Sequence, residues 1–429
     1  MKIKTLLIFT ACLFYPHTLL SQPVTESMHY WPQWRGPSGT GSVPSGNPPI
    51  KWSETNNIRW KIPLPGVAHG TPVIWENQLF VTAAVPPNGS KIGKIPPGPV
   101  KFVVMAVDRT DGTVQWERVV CEELPHEKGN VDSSWASASP IVDGEHVYAF
   151  FGSRGLYCLT LDGDPVWKKD IGDMKTRAGH GEGSSPALYQ NCLVVNWDHE
   201  RQSFIVTFDA TTGDEIWRKD RDEATSWMTP IVVEVAGQAQ VITPGTNHVR
   251  SYDLATGELV WEDDGLTQLA IPSPVAANGV VYVTSGYEGN AMRAIRLAEA
   301  RGNISGTPAV LWSYNMDSPY VPSPLLHGGL LYFNKHIQGV LSCIDVATGK
   351  PCYSKQRLEG IKSMYASPVG VGDRVYLLSR DGVTLVIKHG TEFSVLATNT
   401  LDDNFDASPA IVGDEIYLRG HQNLYCIAR

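Results

Sequence analysis

The sequence predicts an all-β chain, an eight-bladed β-propeller of four-stranded antiparallel blades in which an N-terminal strand completes the last blade. Three observations carry that prediction. A Ser/Thr-Pro dipeptide recurs eight times at nearly constant spacing. A hairpin of Asp, Gly and Trp recurs beside it. Each end of the chain holds a fragment of one more repeat. A period in the forties is the mark of an array of supersecondary units.

The dipeptides are Thr71-Pro72, Ser139-Pro140, Ser185-Pro186, Thr229-Pro230, Ser273-Pro274, Ser323-Pro324, Ser367-Pro368 and Ser408-Pro409, with successive prolines 68, 46, 44, 44, 50, 44 and 41 residues apart. The first interval holds two insertions, Pro86 to Val100 and Cys121 to Ala136. Each Pro opens a short apolar strand. In Ser273-Pro274-Val275-Ala276-Ala277 a turn follows at Asn278-Gly279, and Val280 to Val283 forms the second strand. A third strand ends in an aspartate turn, and the fourth carries an aromatic residue. Four strands per roughly 44 residues is the size of one propeller blade.

The hairpin between the third and fourth strands reads Phe208-Asp209-Ala210-Thr211-Thr212-Gly213-Asp214-Glu215-Ile216-Trp217, and Tyr252 to Trp261 repeats it. Degenerate copies open at Asp108, Asp162 and Asp345 and end at Trp116, Trp167 and Tyr353. The Asp accepts hydrogen bonds from turn amides, and the Gly takes the positive-φ position that reverses the chain. The aromatic residue is expected to dock between blades with its polar tip bonded. The docking set is Trp60, Trp116, Trp167, Trp217, Trp261, Trp312 and Tyr353. The eighth unit stops after a third strand, Asn423 to Ile427, while Asn57 to Ile62 reads as an orphan fourth strand. Joining them seals the ring and removes both sheet edges.

Composition agrees with a large folded chain. The 429 residues are 42% hydrophobic and 18% charged, with 13 Trp and a net charge of −9, which argues against a nucleic-acid partner. Lys2 and Lys4 precede an apolar run from Leu6 to Tyr15, so residues 1–21 read as a signal peptide, 22–50 as an N-terminal extension and 51–429 as the propeller. No transmembrane segment is expected in the body. The protein is expected to be exported, periplasmic or extracellular, and monomeric, with lipid anchoring at Cys12 as a variant. Cys158, Cys343 and Cys426 fall at one position of different repeats, which favours buried packing thiols, while Cys343 and Cys352 flank a tight turn where a disulfide is an option.

The Asp-x-x-Thr-Gly-x-x-x-Trp hairpins after Ser-Pro-opened strands resemble the tryptophan-docked repeats of the pyrroloquinoline-quinone-like (PQQ-like) propeller family over about residues 51–429. Trp31-Pro32-Gln33-Trp34-Arg35-Gly36-Pro37 is similar to the leading segment of its secreted bacterial branch. The resemblance implies the fold and a spread of roles, from quinone-dependent dehydrogenases to outer-membrane assembly scaffolds. The chain departs from the dehydrogenase pattern. It has no Cys-Cys pair, and neither the calcium-binding Glu, Asn and Asp set nor the catalytic Asp falls on a matching motif.

Blade topology places the functional face. Loops leading into first strands and loops joining second to third strands share one side of the ring. The first group supplies His69, Trp135, His180, Glu182, Trp227, Tyr320, Tyr365 and Asp406. The second supplies Trp197, Asp198, His199, Glu200, His248, Tyr287, Lys335, His336, Arg380 and His421. Both insertions add a wall there. A concave site of imidazoles, aromatics and mixed charges on a rigid scaffold suits ligand binding. The expected function is an exported, non-catalytic propeller that binds an envelope protein, another cell-envelope component or a glycan through this funnel. The alternatives are an enzyme acting there on glycans or small substrates, and a quinone-dependent dehydrogenase. No cofactor or metal is expected under the first reading; PQQ with calcium belongs to the last. The Gly179–Gly183 run lacks the following helix of a dinucleotide site, and Asp108–Gly112 lacks the distal Glu of a calcium loop.

Overall fold

The computed structural model describes residues 28–87 and 93–429. The readings of residues 1–21 as a signal peptide and of Cys12 as an anchor lie outside the described residues, as does part of the first insertion. Eight antiparallel four-stranded sheets surround one axis. Seven occupy residues 73–123, 141–169, 187–221, 231–264, 275–313, 325–357 and 369–400. The eighth joins Ala410–Val412, Glu415–Arg419 and Asn423–Ile427 to Ile58–Pro63 from the start of the chain. Trp60 pairs with Cys426 and Lys61 with Tyr425, the closure expected from the two orphan strands.

The Ser/Thr-Pro dipeptides have a cooperative role that spacing alone did not disclose. In blades two to eight the hydroxyl accepts the backbone N–H of the Ser or Thr in the preceding blade. Ser139 Oγ accepts from Thr71 at 2.9 Å, Ser185 from Ser139 at 2.9 Å and Thr229 from Ser185 at 3.1 Å. Ser273 accepts from Thr229 at 3.1 Å, Ser323 from Ser273 at 2.9 Å, Ser367 from Ser323 at 2.9 Å and Ser408 from Ser367 at 2.9 Å. Thr71 Oγ1 donates to the Ser408 carbonyl at 3.2 Å and completes the circle. The following Pro has no N–H to satisfy, so the innermost backbone turns into its strand without leaving a buried donor.

The outer hairpins form a second circle. Trp60, Trp116, Trp167, Trp217 and Trp312 donate their indole N–H to the carbonyls of Arg109, Leu161, Ala210, Leu254 and Val346 in the next blade. Each ring lies against the turn glycine of that blade. A Cβ on Gly213 (φ 72°) would sit 2.7 Å from the Trp167 ring, so this position requires glycine for both backbone and space. Two of the seven docking residues differ. Trp261 is fully buried, but its Nε1 finds no acceptor among the described residues. In blade five the tight turn is replaced by residues 297–309, and Gly302–Asn303 pairs in parallel with Leu259–Asp264 instead. Tyr353 packs edge-on against Phe393 at 5.8 Å, and its hydroxyl finds no hydrogen-bond partner among the described residues. Cys343 lies opposite Tyr353 in this hairpin, and the six cysteines among the described residues are free thiols.

Residues 31–50 are built into the ring. Trp31 exchanges backbone hydrogen bonds with Ile74 of blade one, and the Pro32 carbonyl accepts from Val142 of blade two. Across the channel, Arg35 donates to the carbonyls of Pro324 and Pro368, both at 2.8 Å. Ser42–Val43 then adds a parallel strand to the inner edge of blade seven. The segment crosses the axis beneath the hydroxyl circle, and Trp34 Nε1 donates to Ser273 Oγ at 3.0 Å from below.

Blades eight and one are also tied by charge. Glu415 accepts from Arg109 Nε at 2.7 Å and is paired with Arg59 and the Tyr417 hydroxyl. Burial opposes ionisation of Glu415, but these donors outweigh it and hold the carboxyl below the ordinary 4.5. A carboxyl lowered in the folded state contributes stability above its unfolded pKa, and the contribution is lost as pH falls through the folded value. Glu415→Gln is therefore expected to cost about 1–3 kcal/mol near neutrality. In urea titrations the gap from the parent protein should close as pH falls below the ordinary carboxyl value of 4.5. Ser273→Ala strips the acceptor from two donors, Thr229 N–H and Trp34 Nε1. The expected cost is about 1–3 kcal/mol, read as a lower urea midpoint at unchanged slope.

Candidate functional site

The first strands all begin on one face, so the loops leading into them gather around the axis above the hydroxyl circle. They enclose a cavity of about 250 Å³. Trp34 and the circle, including Ser139, Ser185, Thr229, Ser273, Ser323, Ser367 and Ser408, form its floor. Seven of the residues picked out in the sequence line it: His69, His180, Glu182, Trp227, Tyr320, Tyr365 and Asp406. Asn130, Asp132 and Ser133 from the second insertion complete the wall. The insertion was placed on this face by its spacing, but its lining residues carried no individual signal. Trp34 was quoted only as part of a leading segment.

The wall is held by named contacts. Asn130 Nδ2 lies 2.8 Å from His180 Nδ1, and Trp227 donates to the Gly181 carbonyl at 2.7 Å. Tyr320 meets Tyr287 at 4.9 Å between ring centroids and His336 at 5.7 Å. Lys335 lies 3.4 Å from Asp317 at the rim. Burial raises the Tyr320 phenol to about 12, so it serves as a neutral hydrogen-bonding group.

The densest cluster lies where blade eight meets blade one. Arg380 Nε donates to Asp406 Oδ1 at 2.6 Å, and Arg380 Nη2 reaches Asp132 at 2.9 Å, fastening the insertion to blade seven. The same guanidinium lies over the Tyr365 ring at 4.0 Å. His421 Nε2 is 2.9 Å and His69 Nε2 3.6 Å from Asp406 Oδ2. Burial pushes the His69 imidazole down to about 4, against the pull of Asp406. Burial opposes ionisation of Asp406, but the His421 hydrogen bond and Arg380 outweigh it and hold the carboxyl at about 2.

Other candidates serve the scaffold. Trp197 is buried and stacked on Phe204 at 5.7 Å. Asp198 forms a wholly buried pair with Arg221 at 2.8 Å and accepts from Ser226. The His199 ring bonds the Lys175 amide and the Gln202 carbonyl, and Glu200 accepts from Thr225. Trp197 ends a second strand and the other three follow it, but the connection folds inward, so they pin the loop rather than line the cavity. His248 stands 3.8 Å from Asp222, away from the cavity lining. Trp135 donates to the Glu127 carbonyl and lines a smaller pocket inside the wall with His126 and Ser153. Glu182 lies between the two spaces. It accepts from the Ser153 amide at 2.6 Å and the Ser153 hydroxyl, and burial raises its pKa.

Similarity to known proteins agrees with this architecture. Residues 43–200 and 201–429 match the family profile described as outer membrane protein assembly factor BamB. Over 278 residues, 61% of this chain, the sequence is 26% identical to outer membrane protein assembly factor BamB of Burkholderia pseudomallei (strain K96243). That match spans 65% of the relative, less than two thirds of its length. Among solved structures, the BamB of Moraxella catarrhalis superposes with a TM-score of 0.57 at 12% identity, covering 86% of this chain and 96% of that one. A quinohemoprotein alcohol dehydrogenase from Comamonas testosteroni gives 0.66 at 12%, covering 93% and 80%. A europium-containing methanol dehydrogenase gives 0.65 at 10%, covering 95% and 99%. At such identities these likenesses speak for the fold. The profile match, which covers most of the chain, shows that the protein belongs to the BamB family of PQQ-like β-propellers.

Proposed function

We propose that this protein is an exported, non-catalytic propeller that binds another envelope protein, with a projecting segment of that partner seated in the cavity of the funnel face. The observation that carries this reading is the blind, aromatic-walled cavity. Trp34 closes its floor, Trp227, Tyr320 and Tyr365 stand on its wall, and the insertion bridged through Asp132 to Arg380 raises one side. A buried aromatic pocket ringed by polar groups is the anatomy of a binding hot spot. Family membership supports the class of partner, and the Lys-then-apolar N-terminus supports an envelope location.

The alternatives find less support in the donor sets. Both the Glu182 and Asp406 carboxylates are already bonded, the first to Ser153 and the second to Arg380 and His421. Asp132, the third carboxylate lining the cavity, is likewise paired with Arg380, an arrangement that favours binding over a paired acid–base mechanism. A quinone with calcium does not fit either. Calcium takes six to eight oxygen ligands, whereas the densest cluster among the described residues offers two imidazoles and one carboxylate engaged by arginine, and none of those residues that line the cavity is a cysteine. The same aromatics favour a second reading, a glycan stacked on Trp227, Tyr320 and Tyr365.

The test is a photo-crosslinking residue at Tyr320, used in intact cells of the native host, followed by titration of the captured protein against purified variants. Trp227→Ala with Tyr365→Ala is expected to weaken the complex at least about tenfold in a variant that still melts cooperatively. Capture only from sites on the opposite face, with affinity unaffected by the double variant, would overturn the reading. A glycan-array signal abolished by the same variant, without protein capture, would put the second reading in its place.

A further inference from the structure

We propose that His69, Asp406 and His421 form a binding site for a divalent transition-metal ion of the zinc type, on the funnel wall at the seam between blades eight and one. The three side chains come from separate loops. His69 and Asp406 precede the first strands of blades one and eight, and His421 joins the second and third strands of blade eight. One ligand atom from each lies within 4.8 Å of the others. The two imidazole nitrogens approach the same oxygen, Asp406 Oδ2, at 2.9 and 3.6 Å.

The two imidazole-to-carboxylate separations match what a metal requires, and the two imidazole nitrogens lie within 4.8 Å of each other. With bonds near 2.05 Å in tetrahedral geometry, neighbouring ligand atoms lie about 3.3 Å apart, a value bracketed by the two observed distances. The donor set is also selective. Two imidazoles and one carboxylate suit zinc, cobalt(II) or iron(II), whereas calcium and magnesium prefer oxygen alone.

The surroundings supply a second layer. Arg380 forks onto both oxygens of Asp406, Nε on Oδ1 at 2.6 Å and Nη2 on Oδ2 at 3.1 Å, and the second lone pair of Oδ2 faces the imidazoles. Outer partners of this kind orient ligands and tune metal affinity. Asp132, 2.9 Å from Arg380, offsets the guanidinium charge, so these two carboxylates and one guanidinium leave a formal charge of −1 beside the ion. The buried Arg419 of blade eight acts against a cation here. Affinity therefore rests on the two nitrogen donors more than on net charge. Three protein ligands leave a fourth tetrahedral position, and His69 and Asp406 both line the cavity. That position would take water or an oxygen or nitrogen donor of whatever enters the funnel. The site does not depend on the identity of the partner proposed above.

The test uses the full-length mature protein, stripped with chelator and titrated with cobalt(II) while the visible d–d absorption is recorded. The expected result is one equivalent bound, with a band that zinc(II) displaces. His421 is partly exposed, so His421→Ala is expected to fold, as its melting curve would show, and to bind zinc(II) at least about 100-fold more weakly by calorimetry. Arg380→Gln, which leaves all three ligands in place, is expected to lose about 10-fold. No band and no heat at 100-fold excess metal would overturn the proposal. So would full-stoichiometry binding retained in a His69→Ala, His421→Ala double variant, which would place the ion elsewhere.

Discussion

Everything else in the molecule is organised around the circle of hydroxyl-to-amide hydrogen bonds at the axis. The six Ser and Thr residues from Ser139 to Ser367 both donate their own amide and accept from a neighbour, so seven links pass in one rotational sense from Thr71 to Ser408, and the Thr71 hydroxyl closes the eighth by donating to the Ser408 carbonyl. The donors are buried backbone groups, which are costly to leave unpaired. A blade displaced outward would break two links at once. That constraint fixes where each first strand begins, and hence where the loops that open the funnel must stand. The Trp-on-Gly contacts at the perimeter repeat the same neighbour-to-neighbour logic at larger radius.

The leading segment ties these two levels together. Residues 31–43 reach blades one, two, six and seven, and Trp34 contributes to the floor of the cavity. A little further on, Ile58–Pro63 becomes the outer strand of blade eight. Arg35 explains the sequence around it. Its fork bonds two backbone carbonyls on adjacent blades, and Gly41 passes so close to the guanidinium that a side chain there would collide with it.

The fold was legible in the sequence because its signals are local and repeated. Asp209 and Asp253 cap their turns, Gly213 and Gly257 reverse them, and Trp217 docks on the next blade, all within ten-residue windows. The shared face followed from topology alone. Individual cavity residues were harder to identify. Trp197 to Glu200 and Asp406 both sit in loops on that face, and only tertiary packing decides that the first group turns into a buried ion pair with Arg221 while Asp406 opens towards the axis. Trp34 and Asp132 reach the cavity from outside the regular repeat, where periodicity carries no information. The missing acceptor of Trp261 likewise stems from an irregular excursion in blade five that replaces the turn its neighbours use.

The strand pairing of Ile58–Pro63 with Asn423–Ile427 joins segments more than 350 residues apart. The part of the polypeptide that emerges first must wait for the part that emerges last. Until they meet, Trp34 has no settled roof, and Asp406 and His69 stand on opposite sides of an unsealed gap. Truncated or stalled products would thus lack the closed ring and the complete cavity wall that depends on it.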